Sequence, residues 1–378
     1  MFYLKGDLIT DGQRHKDKVV GILNGKIVCV RDTPLSNDAE VYETNGVICP
    51  GFVDLHIHGV SGFDFMDSAE AFGEIAKKLP RFGVTSFLAT SRTSERQDLI
   101  DFLESSEGFT GLPSCAQLLG VHIEGPWISP EYPGAQKKSL IRTLTAEEAE
   151  NVLLPFSDII SIITLAPEEA GDFPLFEKLR SKGICLSAGH TNASLEEIEA
   201  AITYGLTQTT HTFNAMSPVH HRTPGTAAAA LYFDELTCEV IPDGQHVHPR
   251  MIELLFKVKG REKMILISDC TGYNDLKDGE YSCRGKDLIK TGHKVTLKGG
   301  ALAGSAITLD KGVKYVVEHC GISLEDAVYM ASRGPLAATG KSASKGKIKE
   351  GYDADIVVLN QDLSVEATMI NGEIAYRK

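Results

Sequence analysis

No stretch of this sequence approaches the roughly 18 consecutive apolar residues that a membrane-spanning helix needs, so no transmembrane segment is expected. The amino terminus, MFYLKGDLITDGQRHKDK, has neither a long apolar run nor a small-residue cleavage site, and does not read as a secretory signal. Positive charge is also in short supply: 38 Lys and Arg against 51 Asp and Glu leave a net charge of −13. That balance argues against nucleic acid or an anionic membrane as partner. An anionic small molecule would need a local basic pocket. The eight cysteines contain no CxxC pair, which removes a zinc ribbon. They are scattered through mostly apolar segments, read as buried and reduced, and predict a cytoplasmic protein. P-loop, Rossmann fingerprint and GxSxG elbow are all missing, which removes nucleotide-driven chemistry and the serine-hydrolase route.

What is present is enough apolar residue, 42% of 378, to bury a large core. Both ends alternate apolar and polar residues around short turns. DLITDG and GKIVCVRD flank Asn24-Gly25 near the start, and ADIVVLN precedes EATMINGEIAYRK with Asn371-Gly372 near the end. Each Asn-Gly pair predicts a hairpin. One small β-sandwich-like domain built from residues 1–48 and 346–378 follows. Between them run eight strand-like segments: VICPGFVDLHIHG, TSFLATS, AQLLGVHIEGP, DIISIITLAP, GICLSAGH, TQTTHTFN, LTCEVIPDG and KMILISDC. Helical stretches separate most of them. Phe72, Ile75, Ala76 and Leu79 share one helix face. Thr145 with Glu148, and Ser194 with Glu197, have capping-box spacing. The fold class expected is α/β, a (β/α)8 TIM-type barrel over residues 49–345.

Such a barrel places its chemistry at the carboxyl ends of its strands. Strand one ends in His56-Ile57-His58, two imidazoles on one side of a buried strand, a spacing that suits chelation of one divalent ion. Strand three ends in Glu124, whose two oxygens suit one ion or a bridge between two, with His122 on the same face. Strands five and six end in His190 and His211. A lone histidine there would read as a satisfied core residue, but the theme repeats on several strands. Strand eight ends in Asp269, after the apolar run MILI, where an unpartnered carboxylate is costly. Beside a metal-bound water it has the position of a general base, then a general acid. The metal set is therefore His56, His58, Glu124, His190, His211 and Asp269. Strand four, IISIITLAP, has no lysine, so a carbamylated bridging lysine has no candidate there.

At these residues the sequence resembles the amidohydrolase superfamily, and within it the N-acetylglucosamine-6-phosphate deacetylases. PGFVDLHIHG, GVHIEGPWISP, SAGHTNAS, THTFNAMSPVHHRTPG, DGQHVHP, SDC and LAGSAITLD match that family's landmarks in order. The resemblance implies hydrolysis of the acetamide of an amino-sugar phosphate, in amino-sugar catabolism. It implies a main metal site on Glu124, His190 and His211, a second ion on His56 and His58, and Asp269 as acid/base. It assigns His246 to the acetyl carbonyl and the sugar, Asn214 and Ala215 to the turn near the phosphate, and His221 and Arg222 to a basic corner for the phosphate. That corner is shared between subunits in some relatives, so a homodimer is expected. One or two divalent ions are implied; zinc, iron, manganese and cobalt all suit this donor set, with zinc slightly favoured. Two departures border the sugar: Gln136 where the family often has histidine, and Cys270-Thr271-Gly272-Tyr273-Asn274 where small residues are commoner. Gln136 is expected to hydrogen-bond a sugar hydroxyl. The rivals are the galactosamine isomer, another amide substrate, and a scaffold without catalysis.

Overall fold

The structure of the chain, a computed structural model, describes residues 1–34, 40–170, 173–283 and 285–378. Eight parallel strands alternate with helices through its middle: Phe52–Val60, Val84–Thr90, Gln117–Glu124, Ile160–Leu165, Cys185–Ala188, Leu206–Thr209, Thr237–Val240 and Met264–Leu266. These are barrel strands one to eight, each paired in parallel with the next. The ring closes beyond strand eight, where Asp269 N donates to His56 O at 2.8 Å and Cys270 pairs with Ile57. The expected (β/α)8 barrel is therefore present.

These strands form because both of their faces are buried. Outward residues such as Phe87, Val121, Ile163 and Leu186 pack beneath the helices. Inward residues Val53, Leu55, Leu88, Ile162, Ile265 and Ile267 fill the barrel. Burial on two faces yields continuous Val, Ile and Leu runs instead of alternation. Other inward positions are polar and satisfy one another: His122, Thr164, Thr210 and Ser187 follow at contacts of 2.7, 2.7 and 2.6 Å.

Strand one corrects an expectation. VICPGFVDLHIHG reads as a single strand but is two: Glu40–Pro50 lies in another sheet and Phe52–Val60 in the barrel. Gly51 is the crossing point. Its N–H bonds Asp355 O while Phe52 N–H bonds Gly83 O, so the ladder changes sheet across one residue. A Cβ at Gly51 would lie 2.2 Å from Thr85 Oγ1, an approach only glycine permits.

The other sheet has seven strands drawn from both ends of the chain. In spatial order they are Glu373–Arg377, Val365–Ile370, Ile356–Leu359, Glu40–Pro50, Phe2–Thr10, Gln13–Leu23 and Lys26–Arg31. Both expected hairpins close it. Asn24 and Gly25 have φ of 51° and 76°, and Asn371 and Gly372 have 49° and 76°, the paired positive values of a type I′ turn. Leu4, Val20, Ile48, Ile356 and Met369 form this sheet's own core, while Val47, Cys49, Val357 and Leu359 pack with the barrel's.

The helix signals divide. Ala69–Lys78 buries Phe72, Ile75 and Ala76, with Leu79 buried just beyond. Ser194 caps Leu195–Thr203 with a complete capping box to Glu197. Thr145 accepts from Glu148 N, yet the α-helix it opens is only three residues long before the turns widen. The Glu148 carboxylate does not return to the cap because Arg96 and Arg142 bind it at 2.5 and 2.7 Å. One element was not anticipated. An antiparallel meander of Gly279–Cys283, Lys286–Thr291, Lys294–Leu297 and Leu302–Ser305 follows strand eight and borders the barrel mouth. Among the described residues no helix is long and apolar enough to cross a membrane.

Candidate metal centre

Six strand-end side chains converge on one floor. Glu124 lies at its middle. Its Oε1 stands 3.1 Å from His190 Nε2 and 3.1 Å from His211 Nε2, and those two nitrogens are themselves 3.1 Å apart. On the other side, His58 Nε2 is 3.5 Å from Glu124 Oε2, and His56 Nε2 is 3.6 Å from Oε1. Asp269 Oδ1 closes that half, 3.1 Å from His58 Nε2 and 3.6 Å from His56 Nε2. All six side chains are buried. Three of them sit just past strand ends in left-handed backbone: His190 at φ 49°, His211 at 31° and Asp269 at 47°. Non-glycine residues rarely adopt that conformation, and it clusters at functional sites.

This donor set fits divalent ions. Ligand atoms about 2.0–2.1 Å from a tetrahedral ion lie roughly 3.3 Å from each other, and the separations above bracket that value. His190 Nδ1 donates to Tyr132 O at 3.1 Å and His58 Nδ1 to Thr90 O at 3.2 Å. Their Nε2 atoms are thereby turned toward the carboxylates. His56 Nε2 has no hydrogen-bond partner although wholly buried, a costly state unless a cation meets it. The charges respond to this crowding. Burial opposes ionisation of Glu124, but hydrogen bonds from His190 and His211 outweigh it and hold the carboxyl well below its usual range. Burial likewise opposes the charge on His211, and its bond to Glu124 prevails, raising it to about 9. Burial lowers His56 to about 3. Asp269, despite its burial, is held down to about 2 by the His58 hydrogen bond.

A cavity of about 480 Å³ opens above this floor. His246, Asn214, Ala215 and Gln136 line it. Asp243 fixes His246, taking a bond from Nδ1 at 2.7 Å and from the backbone N–H at 2.8 Å, which leaves Nε2 for a bound molecule. The side chain of Gln136 is committed within the chain: its Nε2 donates to Glu124 Oε2 at 2.6 Å and its Oε1 accepts from Thr93 N at 3.2 Å. It therefore braces the central carboxylate, where a contact to a sugar hydroxyl was expected. His221 and Arg222 are not brought to this cavity. They are exposed on a loop of the same chain, with Arg222 Nη1 2.8 Å from His221 Nε2.

Other residues of the site went unread in the sequence. Arg92, just past strand two, is the one Lys or Arg among the described residues on the cavity wall, and it pairs with Asp64. Asp54, two positions before His56, accepts from His56 N and Ser268 N at 3.2 and 3.3 Å and so ties strand one to strand eight. Burial raises Asp54 to about 7. Glu239 lies beneath the floor. For Arg92 there was little local signal; for Asp54 and Glu239 the signal was a carboxylate inside an apolar strand.

Known proteins agree with this geometry. The sequence matches the Amidohydrolase family over residues 47–375. It is 36% identical to an N-acetylglucosamine-6-phosphate deacetylase of Bacillus subtilis (strain 168), covering 98% of this chain and 95% of that one. It is 31% identical to an N-acetylgalactosamine-6-phosphate deacetylase of Escherichia coli O157:H7, covering 97% of each. Among solved structures, the N-acetylglucosamine-6-phosphate deacetylase of Thermotoga maritima superposes with a TM-score of 0.89 at 32% identity, covering 99% of both chains. A barrel with paired histidines on strand one, a carboxylate on strand three, histidines just past strands five and six and an aspartate just past strand eight thus accompanies full-length sequence similarity. The chain belongs to the amidohydrolase family.

Proposed function

We propose that this chain hydrolyses the acetamide of N-acetylglucosamine 6-phosphate to glucosamine 6-phosphate and acetate. The observation that carries the reading is Glu124, a single carboxylate set between the His190/His211 pair and the His56/His58 pair at the floor of a cavity. Glu124, His190 and His211 would hold one divalent ion, and His56, His58 and Asp269 a second; both groups place their donor atoms within 4.8 Å of each other. When bound, such an ion acidifies water and polarises a carbonyl.

The remaining steps belong to the chain's own side chains. Asp269, ionised and facing the cavity, accepts the proton of the attacking water and passes it to the departing amine. His246, as an imidazolium held by the Asp243 carboxylate at Nδ1, donates from Nε2 to the oxygen of the scissile carbonyl as charge develops there. The turn at Asn214 and Ala215 receives the phosphate through the Ala215 N–H, at φ 47°, since the N–H of Asn214 is already bonded to His211 O at 3.0 Å. His221 and Arg222 reach a phosphate only from a second copy of the chain, so we propose a homodimer in which this loop completes the partner's cavity. Eight unpaired thiols support a reducing, cytoplasmic setting.

The galactosamine isomer is the second reading, supported by the Escherichia coli relative and by the Cys270–Asn274 segment bordering the cavity. Acetate release from both 6-phosphates and from unphosphorylated N-acetylglucosamine, run beside metal analysis, decides. The glucosamine phosphate is expected to react fastest. Equal rates with and without phosphate, or no acetate from any of them, refute the reading.

A further inference from the structure

Directly beneath the floor lies a carboxylate that none of these steps uses. Glu239 is the penultimate residue of strand seven, wholly buried and outside the cavity. A buried carboxylate this far from solvent is costly without a partner, and no Lys or Arg pairs with it among the described residues. One of its oxygens leads to the metal centre and the other to a neighbouring amide. Oε2 accepts from His56 Nδ1 at 3.2 Å and from the backbone N–H of His211 at 3.4 Å. Oε1 accepts from Gln208 Nε2 at 2.5 Å. His122 also lies close enough to form a donor group with His56 and Glu239. It is no ligand, because Nδ1 donates to Leu55 O at 3.0 Å and Nε2 accepts from Thr164 at 2.7 Å.

The four histidines of the floor are oriented differently. Backbone carbonyls hold His58 and His190, and His211 Nδ1 has no hydrogen-bond partner. His56 alone is oriented by a carboxylate. That bond puts the proton on Nδ1 and directs the bare Nε2 at the gap between Glu124 and Asp269, 3.6 Å from each. An ionised Glu239 would also place a third negative charge one imidazole away from a centre where two divalent ions would bring four positive ones. Carboxylate–imidazole pairs of this kind raise the basicity of the ligating nitrogen, and losing them typically weakens metal binding about 10–100-fold.

We propose that Glu239 is the positioning residue that lets the His56–His58–Asp269 half of the centre hold a second ion. The inference rests on the two-ion reading given above, and the test separates the two. Metal-stripped full-length protein is reconstituted with Zn²⁺, counted by elemental analysis, and titrated against a chromophoric chelator. The unsubstituted chain is expected to take up two ions. Glu239→Ala is expected to keep one, and adding His211→Ala to it should remove that ion too, locating it on Glu124, His190 and His211. Glu239→Gln keeps the shape and still accepts from His56 Nδ1, with the Gln208 amide turned over to receive its new N–H. It should bind the first ion within about twofold of the unsubstituted affinity and the second about 10–100-fold more weakly. Two ions at unchanged affinity in both single variants overturn the proposal. So does equal weakening of both ions in Glu239→Gln, which would mark a merely structural role. A single ion in the unsubstituted chain overturns the two-ion reading itself, and this inference with it.

Discussion

Replacing Asp269 by Asn tests the proposed proton path at one atom. The variant is nearly isosteric and is expected to fold. Its backbone N–H still bonds His56 O at 2.8 Å, and asparagine is among the few residues that tolerate the φ of 47° found there. What changes is Oδ1, 3.1 Å from His58 Nε2 and 3.6 Å from His56 Nε2, which becomes part of an amide unable to take a proton at neutral pH. General acid–base groups contribute typically about 10²–10⁴ in rate, so at about 1.36 kcal/mol per tenfold the barrier should rise by about 3–5 kcal/mol. The assay is steady-state acetate release with metal counted on the same samples. Because Glu124, His190 and His211 do not depend on Asp269 for their mutual contacts, at least one ion should remain. The loss should fall on kcat, with KM moving little. Full activity would refute the role, and loss of every ion along with activity would reassign Asp269 to holding the centre together.

Other substitutions address the phosphate, the thiols and the fold. Arg222→Ala should raise KM for the 6-phosphate by about 10–100-fold, the worth of a charge-assisted bond, and leave the unphosphorylated sugar unaffected. Size-exclusion chromatography with light scattering checks the accompanying dimer, and a monomer with unimpaired turnover would remove this loop from the site. Burial pushes the thiols of Cys185 and Cys320 up to about 11 and that of Cys270 up to about 12, so at pH 8 they should resist iodoacetamide in the native chain and react after unfolding, read by mass spectrometry. Ser194→Ala removes the hydroxyl that accepts from Glu197 N, leaves the backbone N–H bond to the Glu197 carboxylate, and should cost about 1 kcal/mol in denaturant unfolding, with the m-value unchanged.

The barrel was legible because its strands are buried on two faces and so appear as short apolar runs between helical stretches. The hairpins were legible because Asn24-Gly25 and Asn371-Gly372 satisfy a backbone requirement few other pairs meet. The break at Gly51 was not. Pro50-Gly51 in VICPGFVDLHIHG is its one local mark, outweighed by apolar residues that continue on both sides, and the reason for glycine, Thr85 at 2.2 Å, lies on another strand. The meander after strand eight does alternate in EYSCRGKDLIKTGHKVTLKG, with turns at Gly285 and Gly292. Its strands are short and bury little, so no apolar run marks them as the barrel strands are marked.

Within the site, what could be read and what could not divides by depth. Strand-end residues stand out because barrel chemistry gathers at carboxyl ends, and His56, His58, Glu124, His190, His211 and Asp269 all meet at one floor. Exposed His221 and Arg222 show the limit of that rule: a motif marks residues that act together without showing whether one chain unites them. Gln136 shows another, since a side chain able to reach a sugar hydroxyl is equally able to brace Glu124, and only the distances choose. Glu239 is the instructive case. It lies inside LTCEVIPDG, one residue short of the end of strand seven, and its side chain is beneath the floor, off the cavity wall where strand-end chemistry is looked for. Yet a carboxylate in an apolar strand must find a donor or a cation. Reading each such residue as a demand for a partner would have pointed from strand seven to an imidazole on another strand, and from that imidazole to the ion it faces.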